Sequence, residues 1–271
     1  MTSSTSPTSS SNGRPDLVTD PPGQPGQLGR QPGQLGPGRD RAGEVAASLA
    51  RVRARIGAAC QAAGRSPGEV TLIAITKTFP ASDVRVLSSL GVRDVGENRD
   101  QEAAPKAAAC ADLRDRLTWH FVGQLQTNKV ASVVRYADVV HSVDRPRLVT
   151  ALGAGARKTG RTLTCLIQVS LDGDPGRGGV REEQVPLIAA GLAGEAGLEL
   201  GGVMAVAPQG ADPVQAFRRL AEIAAQVRVA HPGATMISAG MSGDLEAAIS
   251  AGATHVRVGT ALLGGRPGFV R

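Results

Sequence analysis

Lysine is scarce in this 271-residue chain: among 30 basic residues only Lys77, Lys106, Lys129 and Lys158 are lysines, and the rest are arginines. Lys77 directly follows an apolar run, in the segment IAITKTFP. An arginine would serve any general electrostatic role, whereas a lysine amine can lose its proton and attack a carbonyl. At the end of an apolar strand that amine is partly desolvated, which favours the neutral form. Schiff-base formation is one reading of Lys77, and a snorkelling side chain at a strand end is the other.

Two further segments carry groups of the kind that bind anions. Ser238-Ala239-Gly240-Met241-Ser242 leads from an apolar run into a helical pattern. Backbone N–H groups at such a turn, with the Ser242 hydroxyl, can cradle a phosphate. Gly259-Thr260 would add donors from the next loop, glycine allowing close backbone approach. Ordinary capping by Ser242 is the plain alternative, and Asp244 and Glu246 would repel a phosphate if they pointed at it. Arg257 lies in His255-Val256-Arg257-Val258-Gly259, where side chains alternate between faces. If Val256 and Val258 pack outward, Arg257 faces inward and requires an acceptor, either a carboxylate or a ligand atom. Asn98 reads by itself as a helix N-cap, Trp119, Phe121 and Cys165 as core, and His120 and His141 as single imidazoles without matching partners.

The elements that must position these residues follow from hydrophobic periodicity. Residues 44–63 place Val45, Leu49, Val52, Ile56 and Cys60 at helical spacing. Short apolar runs then recur at 70–76, 92–95, 118–122, 139–141, 163–169, 200–204, 235–238 and 255–258. Helical patterns separate them at 81–90, 98–110, 126–136, 144–158, 182–196, 212–230 and 243–251. Runs such as VTLIAI and LTCLIQV are apolar on both faces, as parallel strands covered on both sides must be. Eight strand–helix units predict a (β/α)8 TIM barrel. The rival doubly wound sheet lacks its Gly-rich dinucleotide turn after the first strand. Barrels place their chemistry at the C-terminal strand ends and hold phosphate after the seventh and eighth strands. Lys77 and the two loops therefore face one cavity, a site for an aldehyde that carries a phosphate, as pyridoxal 5′-phosphate does.

Composition narrows the alternatives. No apolar run approaches the ~20 residues that cross a membrane. The formal charge of +6 is mild, its arginines are scattered, and aromatics reach only 2%, so nucleic acid is a poor partner. Cys60, Cys110 and Cys165 form no CxxC pair and no metal-ligand spacing, and no signal segment opens the chain, so a cytoplasmic protein without a metal is expected. Residues 1–40 hold seven Pro and seven Gly and read as a disordered tail, leaving 41–271 for the barrel.

IAITKTFP, GVRDVGENRDQE, WHFVGQLQTNK, SAGMSGDLEAAI and VRVGTALLG, in this order, resemble the signatures of the pyridoxal-phosphate homeostasis protein family (YggS/PROSC-like). The likeness spans about residues 44–265, so it covers the whole expected barrel. It implies a barrel related to the N-terminal domain of bacterial alanine racemase, with Lys77 as the Schiff-base residue. It also implies phosphate contacts from Ser242, Gly259 and Thr260, with Ser238 as a further candidate. Arg257 would face the pyridine nitrogen, Asn98 would lie beside the ring, and Met241 would help form the pocket. The family balances pyridoxal-phosphate supply without established turnover, which implies a monomeric carrier with PLP-dependent apoenzymes as candidate recipients. One departure is Arg177-Gly178-Gly179, where relatives usually carry Lys-Ser-Gly. A low-activity amino-acid racemase is the second reading, but it wants a second acid/base. The single tyrosine, Tyr136, is expected at a helix end, and no further domain is expected before Arg271.

Overall fold

The computed structural model describes residues 37–174 and 177–265. The tail expected over residues 1–40 lies outside the described residues except for its last four, which already belong to helix α1 (Pro37–Ala62). The barrel is built from β1 (Thr71–Ile75), β2 (Asp94–Glu97), β3 (Thr118–Phe121), β4 (Val139–Val143), β5 (Leu163–Gln168), β6 (Leu198–Met204), β7 (Met236–Ser238) and β8 (His255–Val258). Each strand runs parallel to the next, and β8 returns to β1 in the register Leu72↔Val256 and Ala74↔Val258. The connecting helices are α2 (Ala81–Ser89), α3 (Asp100–Ala109), α4 (Val130–Tyr136), α5 (Pro146–Thr159), α6 (Val185–Gly194), α7 (Pro213–Ala230) and α8 (Leu245–Ser250), with a short α9 (Thr260–Leu263) after β8. The expected (β/α)8 barrel is the fold observed.

Each helix buries the face that its spacing dictates. In α7, Phe217, Leu220, Ile223, Ala224 and Val227 are buried, Asp212 accepts the Val214 N–H at 2.9 Å, and Pro213 takes the first helical position. Truncating a fully buried side chain such as Leu220 to alanine would cost about 2–5 kcal/mol. Helix α1 lays Val45, Leu49, Val52, Ile56 and Cys60 against Leu245, Ile249, Val256 and Leu262, so it covers the part of the barrel where the chain closes on itself. The clearest shift from expectation is β2, which includes Gly96 and Glu97 instead of ending at Val95. Strand β4 is longer than expected and its pairing with β5 is irregular between Val140 and Val143.

The inside of the barrel departs from the usual filling by branched apolar layers. Val139, Leu166 and Met204 form a small apolar cluster, while His120, His141, Ser238 and Arg257 are buried alongside. Among the described residues no helix is long and apolar enough to cross a membrane, and no His/Cys/Asp/Glu group is arranged to hold a metal.

Candidate functional site

The C-terminal strand ends surround a cavity of about 410 Å³ lined by Lys77 and Thr78 after β1, Asn98 after β2, Gly123 after β3, Met241 and Ser242 after β7, and Arg257, Gly259 and Thr260 at the end of β8. Seven of the residues singled out in the sequence thus meet in one place. Ser238 does not line it; it is fully buried beneath, in contact with Arg257.

The position of Lys77 is set by a tight turn. Phe79 N–H donates to the Thr76 carbonyl at 3.1 Å, which makes Lys77 and Thr78 the two central residues. Thr78 has φ +69°, a left-handed conformation that a β-branched residue adopts only under constraint. Its N–H is fixed by the Glu102 carboxylate at 2.9 Å, while its buried hydroxyl has no partner among the described residues. Behind the turn, Lys106 Nζ donates to the Thr76 carbonyl at 2.7 Å and to Glu97 Oε1 at 2.5 Å. Burial raises the Glu97 carboxyl above its usual range, with Lys106 and the Thr76 hydroxyl acting the other way. Lys77 itself is half-buried, as expected for a strand-end amine.

Helix α8 begins at Leu245, two residues later than the sequence suggested, and spans only six residues. Its macrodipole is therefore small, and the anion-binding capacity of this corner rests on individual N–H groups. Among the described residues, the N–H groups of Ser242 and Gly243 donate to no protein acceptor. Thr260 opens α9, where an N–H has no intrahelical partner. The Ser242 hydroxyl already accepts the Ala261 N–H at 3.4 Å, tying the two loops together. Both carboxylates are engaged by protein donors: Asp244 accepts the Met241 N–H at 2.5 Å, and Glu246 pairs with Arg55 of α1 at 2.8 Å. Arg55 also donates to the Ser242 carbonyl at 3.0 Å, so α1 braces this loop from outside. Gly240 has φ +87°, and a β-carbon there would approach that of Ala248 to 2.6 Å.

Arg257 faces inward, with Val256 and Val258 packed outward against α1 and its neighbours. Its acceptors are the Ser238 hydroxyl at 2.6 Å and the Ala205 carbonyl at 2.9 Å, neither of them a carboxylate. Its remaining N–H groups meet no protein acceptor among the described residues. Burial pushes the guanidinium down to about 10, partly opposed by Asp244, so it stays a cation at neutral pH.

Three local expectations are corrected. Asn98 is not the cap of α3, which is Arg99; Asn98 lines the cavity, beside Gly123, where a β-carbon would collide with the Asn98 carbonyl. His120 and His141 are not isolated imidazoles, because their rings lie on neighbouring strands with Nδ1 of one 2.9 Å from Nε2 of the other. Ser238 meets Arg257 instead of the open cavity. An amine, a cluster of N–H and hydroxyl donors, and a fixed guanidinium in one cavity suit a ligand with an aldehyde and a phosphate.

Comparison with known proteins agrees with that reading. Residues 47–267 match the alanine racemase N-terminal domain family. The pyridoxal phosphate homeostasis protein of Mycobacterium tuberculosis is 47% identical over 244 residues, covering 84% of this chain and 95% of that protein. The chain belongs to the pyridoxal phosphate homeostasis protein family. The Escherichia coli member is 37% identical over 227 residues, covering 82% of this chain and 97% of its own. The family member PipY of Synechococcus elongatus, solved with pyridoxal phosphate bound, matches with a TM-score of 0.70 at 34% identity, over 81% of this chain and all of PipY.

Within this family frame, Thr78, Gly123 and the histidine pair are the residues that sequence reading overlooked. Thr78 stood inside a quoted motif but carried no signal of its strained turn. The histidine contact depends on strand register, His120 lying opposite Val139, which no local pattern reveals.

Proposed function

We propose that this protein binds pyridoxal 5′-phosphate in the cavity at the C-terminal strand ends and takes part in the homeostasis of that vitamin B6 cofactor by holding it reversibly. The observation that carries this reading is the convergence of Lys77 with Ser242, Gly259, Thr260 and Arg257 on one cavity of about 410 Å³. The donor set fits the group: Lys77 would hold the aldehyde carbon, and Ser242, Gly259 and Thr260 the phosphate. Arg257 would face the pyridine nitrogen, with Asn98 and Met241 flanking the ring. When bound, the cofactor supplies an aldehyde that an amine holds through a reversible Schiff base.

A carrier role follows better than catalysis. Arg257 can donate a hydrogen bond to a ring nitrogen but does not give up its proton, and an unprotonated ring is a weak electron sink. Tyr136, which a two-base racemase would need in the cavity, is buried at the end of α4 with its hydroxyl directed at Asp100 Oδ1, 3.4 Å away. Burial, and then Asp100, push that hydroxyl far above its ordinary range, so it keeps its proton at neutral pH and is not available as a base. In this reading a monomeric, cytoplasmic protein releases the cofactor to apoenzymes that need it.

Titrating the purified protein with pyridoxal phosphate should give a saturable, stoichiometric change in visible absorbance. In deuterated water, exchange of the α-proton of D- and L-alanine should be no faster than with the free cofactor. Protein-dependent exchange would instead support the racemase, and the absence of any spectral change would assign the cavity to another phosphorylated ligand.

A further inference from the structure

Five polar side chains cross the interior of the barrel in a single file. Arg257 NH1 is 2.6 Å from Ser238 Oγ, and Ser238 Oγ is 3.0 Å from His141 Nδ1. His141 Nε2 is 2.9 Å from His120 Nδ1, and His120 Nε2 is 3.0 Å from Asp94 Oδ1. Asp94 is the first residue of β2 and opens on a separate cavity at the opposite rim, beside Arg53 and Arg93. The file therefore starts at the pyridoxal-phosphate cavity and ends at a partly exposed carboxylate on the other side of the barrel.

The donor at one end and the acceptor at the other fix the sense of every bond. A guanidinium only donates, so Ser238 Oγ accepts from Arg257 and its own proton is directed at His141 Nδ1. His141 must then carry its proton on Nε2 and donate to His120 Nδ1, and His120 donates from Nε2 to the carboxylate. The reverse tautomers would set a bare His120 nitrogen against the Asp94 carboxylate, two acceptors 3.0 Å apart. The surroundings agree with a neutral His141: burial, then His120, Arg257 and His255, hold its imidazole well below its ordinary value. Burial and the nearby His120 push His255, which faces the same end of the file, down to about 4.

We infer that Asp94, His120, His141 and Ser238 form one directed hydrogen-bond chain that holds Arg257 as a fixed donor in the cofactor cavity, making all four positioning residues for cofactor binding. The inference rests on the binding reading given above for that cavity. Its physical content is that Asp94 selects the tautomer of both histidines, and through them leaves Ser238 as an acceptor for the guanidinium. Low dielectric inside the barrel strengthens each link and makes a broken one costly.

The test has one arm that needs no cofactor. Long-range proton–nitrogen NMR of the full chain without added cofactor, at pH 8, should show His120 and His141 both protonated on Nε2. Asp94→Asn keeps the volume but offers either a donor or an acceptor to His120, so both tautomers of each ring should appear. The second arm measures pyridoxal-phosphate dissociation constants. Asp94→Asn and Ser238→Ala should each raise the constant by roughly three- to tenfold, the effect of weakening one charge-assisted hydrogen bond. The double variant should bind no more weakly than Ser238→Ala alone, because Asp94 acts only through Ser238. A wild-type His141 protonated on Nδ1, or unchanged affinity in Asp94→Asn beside a loss in Ser238→Ala, or additive losses in the double variant, would each overturn the chain. If the wild type fails to bind pyridoxal phosphate at all, the binding reading falls, and with it the assigned role, while the tautomer result still decides whether the directed file exists.

Discussion

Lys106 Nζ lies 2.5 Å from Glu97 Oε1, and both side chains are buried in the wall behind the turn that carries Lys77. The same ammonium donates to the Thr76 carbonyl, so the pair joins α3 to the ends of β1 and β2. Glu97 Oε2 has no partner among the described residues, which leaves the carboxylate dependent on Lys106 and the Thr76 hydroxyl for its charge.

Removing one member of this pair should therefore cost much more than removing both. Lys106→Met should destabilise the protein by about 3–5 kcal/mol at pH 8, the range for an orphaned buried charge. The Glu97 carboxyl already lies above its usual range because of burial, and losing the ammonium raises it further. It can then take up a proton in the folded state at pH 5, so the penalty should shrink there. Glu97→Gln combined with Lys106→Met should recover most of the loss. Urea unfolding midpoints at the two pH values check all three statements.

The phosphate contacts proposed for the loops after β7 and β8 predict a selective defect. Ser242→Ala should weaken binding of pyridoxal phosphate by roughly tenfold, about the effect of one hydrogen bond to a charged group. Binding of pyridoxal, which lacks the phosphate, should barely change. Equal losses for both ligands would mean that Ser242 shapes the cavity without contacting the anion. Competition titrations followed by visible absorbance distinguish these outcomes.

Gly240→Ala combines a left-handed backbone with a collision against Ala248. The expected result is a stability loss of about 1–3 kcal/mol from overpacking and strain. The loop holding Met241 and Ser242 starts at this residue, so pyridoxal-phosphate affinity should fall with it. Thermal unfolding and a cofactor titration of the same variant test the link.

The depressed imidazoles of His255 and His141 predict a loss of stability in acid. His255 binds its proton at about 4 in the fold against an ordinary value of 6.5, so the unfolded chain takes up more protons between those values. Its contribution to stability is fully present above pH 6.5 and is lost as pH falls towards 4. His141 is shifted in the same direction. His255→Gln should therefore show a shallower decline than the wild type across this window, and parallel curves would contradict the assignment. Urea unfolding at several pH values between 4 and 7.5 provides the comparison.

Much of this arrangement was legible before the structure. The runs apolar on both faces located all eight strands, and the rule that barrel chemistry gathers at C-terminal strand ends joined Lys77 to Ser242, Gly259 and Thr260 across more than half the chain. What stayed hidden depended on tertiary context. Gly96 and Glu97 look unlike strand residues, yet Gly96 tucks between Ile73 and Ile75, and Glu97 is fixed by Lys106 from a helix. His120 and His141 seemed solitary because their contact requires the register of neighbouring strands. Ser238 was placed in the right corner but one layer too high, since alternation along a three-residue strand does not reveal what lies beneath the cavity floor.

The central claim is that Lys77 anchors pyridoxal phosphate, and borohydride reduction of the loaded protein followed by peptide mapping tests it most directly. The account predicts visible absorbance that disappears on reduction, with the cofactor's mass fixed on the peptide containing Lys77, and neither signal in a folded Lys77→Ala variant. Mass fixed on Lys106, Lys129 or Lys158 instead, or visible absorbance that persists in Lys77→Ala, would contradict it.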